Sequence, residues 1–341
     1  MRRLLLALFL LGTMLAVAAS FFVHQQWQRP LQIPDEGYYL EVSAGERFRS
    51  VVERLAGAGV VPAPYLLMAY GRWTGLDEKI KRGEYLILPG IDPVQLLGLL
   101  TTGVVIQYQV TLPEGITLGE AIAMLGADTV LRQSVSGPED EQIKALLPQH
   151  ENLEGLFFPD SYSFEKGATD IQVLQRAMHR MEKVLAEEWA VREDGLPYET
   201  PYKALVMASI IERETGQASE RQQIAGVFVR RLQKGMRLQT DPTVIYGLGE
   251  EFDGNLRRSH LRDSANPYNT YRHRGLPPTP IALPGRAAIH AALHPDDSKS
   301  LYFVARGDGS HIFSETLKEH QAAVREFQHR RVKNYRSSPE N

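Results

Sequence analysis

The run Ala204-Leu-Val-Met-Ala-Ser-Ile-Ile-Glu-Arg-Glu-Thr-Gly216 is apolar nearly all round from Ala204 to Ile211, the pattern of a helix enclosed by its neighbours. It ends in two carboxylates, Glu212 and Glu214, with Gly216 placed to terminate it. Ser219-Glu-Arg-Gln222 then reads as a capping box opening a second helix, whose Ile224, Val227, Phe228 and Leu232 form a core stripe and whose exit is Gly235. Two helices therefore meet at a short turn that presents acidic groups. At about 100° per residue, Glu212 and Glu214 point roughly 200° apart, so only one can face a given cleft. Glu214 extends the apolar stripe of Met207, Ile210 and Ile211, whereas Glu212 follows Ala208 and Ser209 on a smaller, more polar face. A carboxyl leaning on apolar neighbours is held protonated at higher pH, as a general acid requires. The plainer alternative is that both are exposed helix-end residues paired with Arg213 or Arg221.

Outward from this centre, Glu154-Gly-Leu-Phe-Phe-Pro-Asp-Ser-Tyr-Ser-Phe164 has the Gly, Pro and aromatic content of a turn-rich loop. Its aromatics either plug a core or line a cleft, where ring faces could cover the apolar faces of sugars. Gln239-Thr-Asp-Pro-Thr243 has the composition of a turn, in which Asp241 either caps a helix starting at Pro242 or orients substrate. Gln239, Thr240, Asp241, Tyr268, Asn269 and Thr270 are the candidate substrate-binding residues; the amide and hydroxyl groups of Tyr268, Asn269 and Thr270 suit sugar hydroxyls and acetamido groups, the alternative being that they belong to a loop that is polar as loops are. His290 and His294 share a helical face as a metal pair would, but no third ligand is near in sequence, so no metal is expected. His329 to Arg336 reads as a solvated basic helix end.

Leu4 to Val23 carries no charge and is long enough to cross a bilayer core. Arg2 and Arg3 precede it and favour a cytoplasmic N-terminus, with everything after Val23 on the far side. Small residues Ala16, Ala18 and Ala19 resemble a cleavage site, so a removed signal peptide is the competing reading. His24 to Glu36, with Pro30 and Pro34, suits a stiff spacer reaching at most roughly 45 Å.

Three following segments share one grammar of β-rich run, Gly turn and amphipathic helix. They are Tyr38–Val42 with Phe48–Leu55, Tyr85–Leu88 with Val94–Leu100, and Val105–Leu112 with Leu118–Leu125. A LysM-like α+β sugar-binding module over 37–126 is one reading and a ligand-free spacer domain is the other. The expected organisation is a stub and anchor over 1–23, a spacer over 24–36 and the module over 37–126. A linker or insert over 127–152, a mixed helix-strand catalytic domain over 153–335 and a tail over 336–341 complete it. The fold class is α+β. The chain has 341 residues, a formal charge of −3 and no cysteine. That balance argues against nucleic acid as a partner, and the missing cysteines exclude thiol catalysis, disulfides and Cys-ligated zinc.

Ala208-Ser-Ile-Ile-Glu-Arg-Glu-Thr215, Ala218-Ser-Glu-Arg221, Gly235-Met-Arg-Leu-Gln-Thr-Asp-Pro-Thr-Val-Ile-Tyr-Gly247, Tyr268-Asn-Thr-Tyr271, Gly275-Leu-Pro-Pro278 and Leu301-Tyr-Phe-Val-Ala305 resemble, in order, the motif series of the MltG/YceG family of endolytic murein transglycosylases. The resemblance implies that the second glutamate of Glu-x-Glu-Thr, here Glu214, is the catalytic acid. It implies a non-hydrolytic cut between N-acetylmuramic acid and N-acetylglucosamine that leaves a 1,6-anhydro muramyl end without a cofactor or metal. The implied partners are peptidoglycan strands, with membrane-bound synthases close by, and the implied location is a bacterial inner membrane with a periplasmic catalytic domain. A non-catalytic, membrane-anchored wall-binding or scaffolding protein is the alternative.

Overall fold

The computed structural model describes residues 2–327, apart from the side chains of 2–7, 19, 26 and 28, so the basic stretch 329–336 and the tail 336–341 lie outside the described residues. Two compact units are resolved, one comprising the chain up to Tyr108 with Ser163–Ala168, the other Gln109–Tyr162 with the chain from Thr169 onward.

In the first unit, α1 (Arg2–Gln28) holds an 18-residue window, Leu8–Gln25, of mean hydropathy 1.7 with none of it buried. The helix runs past Val23 into the stretch expected to be a spacer. Beyond Pro30, Leu31 enters the core at 5% exposure; its N–H bonds Ile91 O at 2.8 Å and that of Gln32 bonds Val60 O at 3.1 Å. Residues 24–36 are therefore no free tether of 45 Å. The prolines break the helix, but Leu31 between them has an apolar core to fill, and its burial outweighs the freedom of the segment.

β1 (Tyr38–Val42) directs Leu40 and Val42 inward. α2 (Phe48–Gly57) buries Phe48, Val51, Val52 and Leu55, the i, i+3, i+4, i+7 stripe of its sequence. α3 (Pro64–Thr74) crosses it at Gly71, where a Cβ would sit 2.7 Å from the Phe48 ring, a contact only glycine tolerates. β2 (Gly83–Ile87) returns antiparallel to β1, with Leu40 opposite Tyr85, and completes a β-α-α-β arrangement. α4 (Pro93–Thr102), opened by a reciprocal Asp92–Gln95 capping box, closes this core. β3 (Gln107–Thr111) follows.

In the second unit, α5 (Leu118–Ala127) buries Leu118, Ala121, Ile122 and Leu125. α6 (Glu141–Lys144) and β4 (Ser161–Glu165), which pairs with β3, lead to α7 (Asp170–Ala190), on which both α5 and α6 pack. The third strand-helix repeat thus divides from the first two at Tyr108, because the stripe of α5 finds its partner in α7. α8 (Pro201–Glu214), buried from Ala204 to Ile211, is the central helix. Around it stand α7, α9 (Arg221–Gln233), α10 (Asp241–Leu248) and, beyond α11 (Arg258–Arg262), α12 (Arg286–Leu293). The antiparallel hairpin of β5 (Tyr302–Ala305) and β6 (His311–Ser314) packs under α13 (Leu317–Phe327).

Two details between α8 and α9 differ from the sequence expectation. α8 ends at Thr215 in extended backbone (φ −144°), and Gly216 does not take the left-handed conformation of a glycine cap. The Ser219 capping box does not form. A 3₁₀ turn, Ala218–Glu220, precedes α9, and the Glu220 carboxylate instead accepts from the N–H of His311 at 2.9 Å and pairs with its Nδ1 at 2.7 Å, both residues buried. The chain thus enters α9 through a 3₁₀ turn in which no side chain caps the helix. Gly235, at φ 63°, does terminate α9.

Candidate active site

Glu214 is the last residue of α8, and its side chain meets the start of α10. Thr240, the N-cap of α10, donates its hydroxyl to Glu214 Oε1. A threonine cluster holds Thr240 in turn. Its N–H donates to Thr270 Oγ1 at 3.1 Å, its carbonyl accepts from Thr243 Oγ1 at 2.8 Å, and the Thr243 and Thr270 hydroxyls bond at 2.9 Å. Gln239, just before it, has φ 53°, alone among the described non-glycine residues in being left-handed, and its N–H reaches Thr270 O at 3.3 Å. Such a backbone costs about 1–3 kcal/mol and is kept only where its surroundings fix it. Asp241 begins α10 one residue earlier than the helix start anticipated at Pro242, and accepts from the Tyr271 hydroxyl at 2.7 Å.

The surroundings set the charge of Glu214. Burial pushes its pKa up most; the Thr240 hydroxyl and the cation of Arg231 pull it down, Asp241 adds repulsion, and the result is about 7. A carboxyl so placed holds its proton at far higher pH than an ordinary glutamate does. Arg231 is fixed beside it by bonds from Nε to Leu301 O at 2.7 Å and from Nη1 to Leu238 O at 2.6 Å.

Glu212 turns elsewhere, as the helical spacing requires. It accepts from the Gly285 N–H at 2.9 Å and pairs with Arg221 at 3.3 Å. Its face is no more solvated than that of Glu214: burial raises its pKa too, opposed by Gly285 and Arg221. Glu212 has the partners of a structural carboxylate.

Flanking this region is a cavity of about 770 Å³, bordered by Arg213, Pro242 and Ile245, with Glu154 and Tyr246 in its wall. Arg213 and Pro242 are the chain neighbours of Glu214 and Asp241. Glu154 accepts from the Leu118 N–H at 2.9 Å and from the Tyr246 hydroxyl at 3.3 Å. Burial, only partly offset by those bonds, lifts its pKa to about 7. Gly155 makes this placement feasible, since at φ 79° a Cβ would lie 2.4 Å from Pro280. Glu154 was not among the candidates, because a single carboxylate before Gly155 and a run of aromatics carries no spacing pattern of its own. Phe157, Phe158, Tyr162 and Phe164 are in fact all buried as core, so the cleft-lining alternative for them does not hold.

The six sequence candidates separate. Thr240 and Asp241 lie at Glu214, Gln239 precedes them in the chain, and Thr270 braces Gln239 and Thr240 through their N–H groups at 2% exposure. Tyr268 is half-buried, bonded to Thr279 at 2.9 Å and edge-on to Tyr246. Asn269 is fully buried, and its amide is consumed by His260 O, Asp263 O and the N–H of Tyr271. It shapes the loop and offers nothing to a ligand. Tyr271 and Arg231, both beside the carboxyl, were not among the candidates. Among the described residues, the group able to hold a metal is Glu188, His290 and His294. The third ligand that the sequence lacked near the histidine pair thus comes from α7, although Glu188 is already bonded to Arg286 at 2.6 Å and His290 at 2.8 Å.

Comparison with known proteins bears on this arrangement. The profile of the YceG-like family matches residues 40–326. A protein of Bacillus subtilis (strain 168) named endolytic murein transglycosylase is 32% identical over 306 residues, covering 84% of each chain. One of the same name from Streptococcus pneumoniae serotype 2 is 25% identical over 321 residues, covering 84% of this chain and 57% of its own length. The crystal structure of a YceG-like protein from Listeria monocytogenes matches with a TM-score of 0.52 at 28% identity, over 85% of this chain and 99% of that one.

Proposed function

The chain belongs to the YceG-like family, and on that premise we propose that it is an endolytic murein transglycosylase, a lyase that cuts peptidoglycan strands with Glu214 as its acid and base. The observation that carries the assignment is the Glu214 carboxyl itself, desolvated, poised near pH 7 and positioned by Thr240 at the mouth of α10. Its proton passes to the glycosidic oxygen between N-acetylmuramic acid and N-acetylglucosamine as that bond to C1 breaks. The resulting carboxylate takes the proton of the muramyl 6-hydroxyl as that oxygen bonds to C1, closing the 1,6-anhydro ring and restoring the acid. One carboxyl thus serves both halves, and no water enters the products. Arg231 and the Thr240 hydroxyl stabilise the intervening carboxylate, while Gln239, Asp241 and Tyr271 are placed to meet sugar hydroxyls.

The cavity beside α10 has the size of a sugar subsite. The β-α-α-β unit, with an opening of about 760 Å³ between its β1–α2 turn and the segment after α3, supports a LysM-like glycan contact. The apolar length of α1 supports a single-pass anchor in the inner membrane, with the N-terminus cytoplasmic and both units periplasmic. An anchored enzyme meets strands beside the membrane-bound synthases that make them, and its cut ends their elongation. Mass analysis of products from purified glycan strands tests the assignment. Anhydro muramyl ends are expected; reducing ends would make the enzyme a hydrolase, and intact strands would make the protein a binder.

A further inference from the structure

α3 carries two apolar stripes, and the core uses one. Leu67 and Gly71 are buried inside the unit, whereas Leu66, Ala69, Tyr70 and Trp73, spaced i, i+3, i+4, i+7, form a second edge beside them. That edge faces the end of α1 across a groove of about 480 Å³ whose other wall includes Val23 and Trp27. Trp27 and Tyr70 meet edge to face at 4.7 Å between ring centres, and Tyr70 continues to Trp73 at 6.2 Å. Trp73 is 84% and Tyr65 80% exposed, a costly display for rings of that size in a protein bathed by water alone.

The position of this edge along α1 says what covers it. The apolar window ends at Gln25, so Val23 to Trp27 straddle its boundary over about 6 Å of rise. The headgroup layer outside a hydrocarbon core is about 5–7 Å deep, and it is where Trp and Tyr rings, apolar in body and polar at one atom, accumulate. Leu31, docked in the core three residues after α1 ends, leaves no slack to lift the unit away.

We infer that α3 is an interfacial helix, whose Tyr65, Tyr70 and Trp73 lie in the headgroup layer of the bilayer and seat the β-α-α-β unit directly on the membrane. This rests on the reading of α1 as a membrane span, and the test separates the two. The chain has three tryptophans, Trp27, Trp73 and Trp189. The full-length protein is reconstituted in nanodiscs of phosphatidylcholine and phosphatidylglycerol, with or without bromine on the acyl chains near the headgroup. W27F/W189F reports Trp73 alone, and W73F/W189F reports Trp27 alone. Trp73 emission is expected to shift to the blue on reconstitution and to lose intensity in brominated discs to an extent like that of Trp27. Quenching of Trp27 with none at Trp73 would leave the anchor standing and overturn the interfacial helix. Absence of quenching at both would overturn the two together.

Discussion

Replacing Thr240 by valine removes one hydroxyl and little else, because the N–H and carbonyl of Thr240 keep their bonds to Thr270 and Thr243. The lost bond is the one to Glu214. A hydrogen bond to a charged acceptor is worth about 1.5–3 kcal/mol and one to a neutral acid about 1 kcal/mol, so the bond favours the carboxylate by roughly 1–2 kcal/mol. At about 1.4 kcal/mol per pH unit, its loss should raise the pKa of Glu214 from about 7 to roughly 8. Cleavage needs the protonated form, so activity falls as pH rises through this pKa, and the alkaline limb of kcat/KM should move up by about one unit. The assay follows anhydro-ended products by chromatography from pH 5 to 10, with thermal unfolding at pH 6 as the check on folding. T240V should hold a larger share of its maximal rate at pH 8 than the parent does. A limb that stays put, or moves to lower pH, would refute the coupling.

Asp241→Asn should shift the same limb the other way, by less than about half a unit because Asp241 is exposed, and the shift should shrink with salt. Glu214→Gln should stabilise the fold at high pH. A native pKa of about 7 against an ordinary 4.5 means the native state holds its proton more tightly, so stability falls as pH rises from about 4.5 to 7, by at most about 3 kcal/mol. The variant should therefore melt above the parent at pH 8 and level with it at pH 4. Glu212→Gln weakens the pairing with Arg221 but removes a charge that burial disfavours, so it should cost no stability at pH 8 by the same linkage, and kcat/KM should stay within a few-fold; a large loss of Tm at pH 8 would contradict this. Asn269→Ala should destabilise by about 3 kcal/mol through three lost buried bonds, measured by denaturant unfolding.

Local periodicity was legible wherever one face of an element is buried. The stripes of α2 and α5, the all-round apolarity of α8 and the divergence of Glu212 from Glu214 follow from spacing alone, because a helix turns 100° per residue whatever surrounds it. What spacing does not carry is the partner. Nothing near Glu220 in sequence announces His311, 91 residues on, with which it pairs in the core. Leu31 reads as one apolar residue in a proline-rich stretch until Val60 and Ile91 are beside it. Asn269 reads as a sugar ligand as readily as a loop brace, since an amide serves either, and only its full burial decides. Glu154 had a signal, a lone carboxylate before a Gly-aromatic run, but its perturbation comes from burial, which the bonds from Tyr246 and Leu118 only partly offset and which no periodicity reveals.

The claim that Glu214 carries the chemistry is tested most directly by the cleavage rate of purified glycan strands at pH 6, compared between the full-length parent, Glu214→Gln and Glu212→Gln in detergent. Glutamine keeps the shape and the bond from Thr240 but cannot donate the proton, so the rate with Glu214→Gln should fall by at least about 10²-fold and up to about 10⁴-fold. Glu212→Gln should form anhydro ends at close to the parental rate. Anhydro ends from Glu214→Gln at a rate within about tenfold of the parent, or a dead Glu212→Gln with a folded chain, would contradict the assignment.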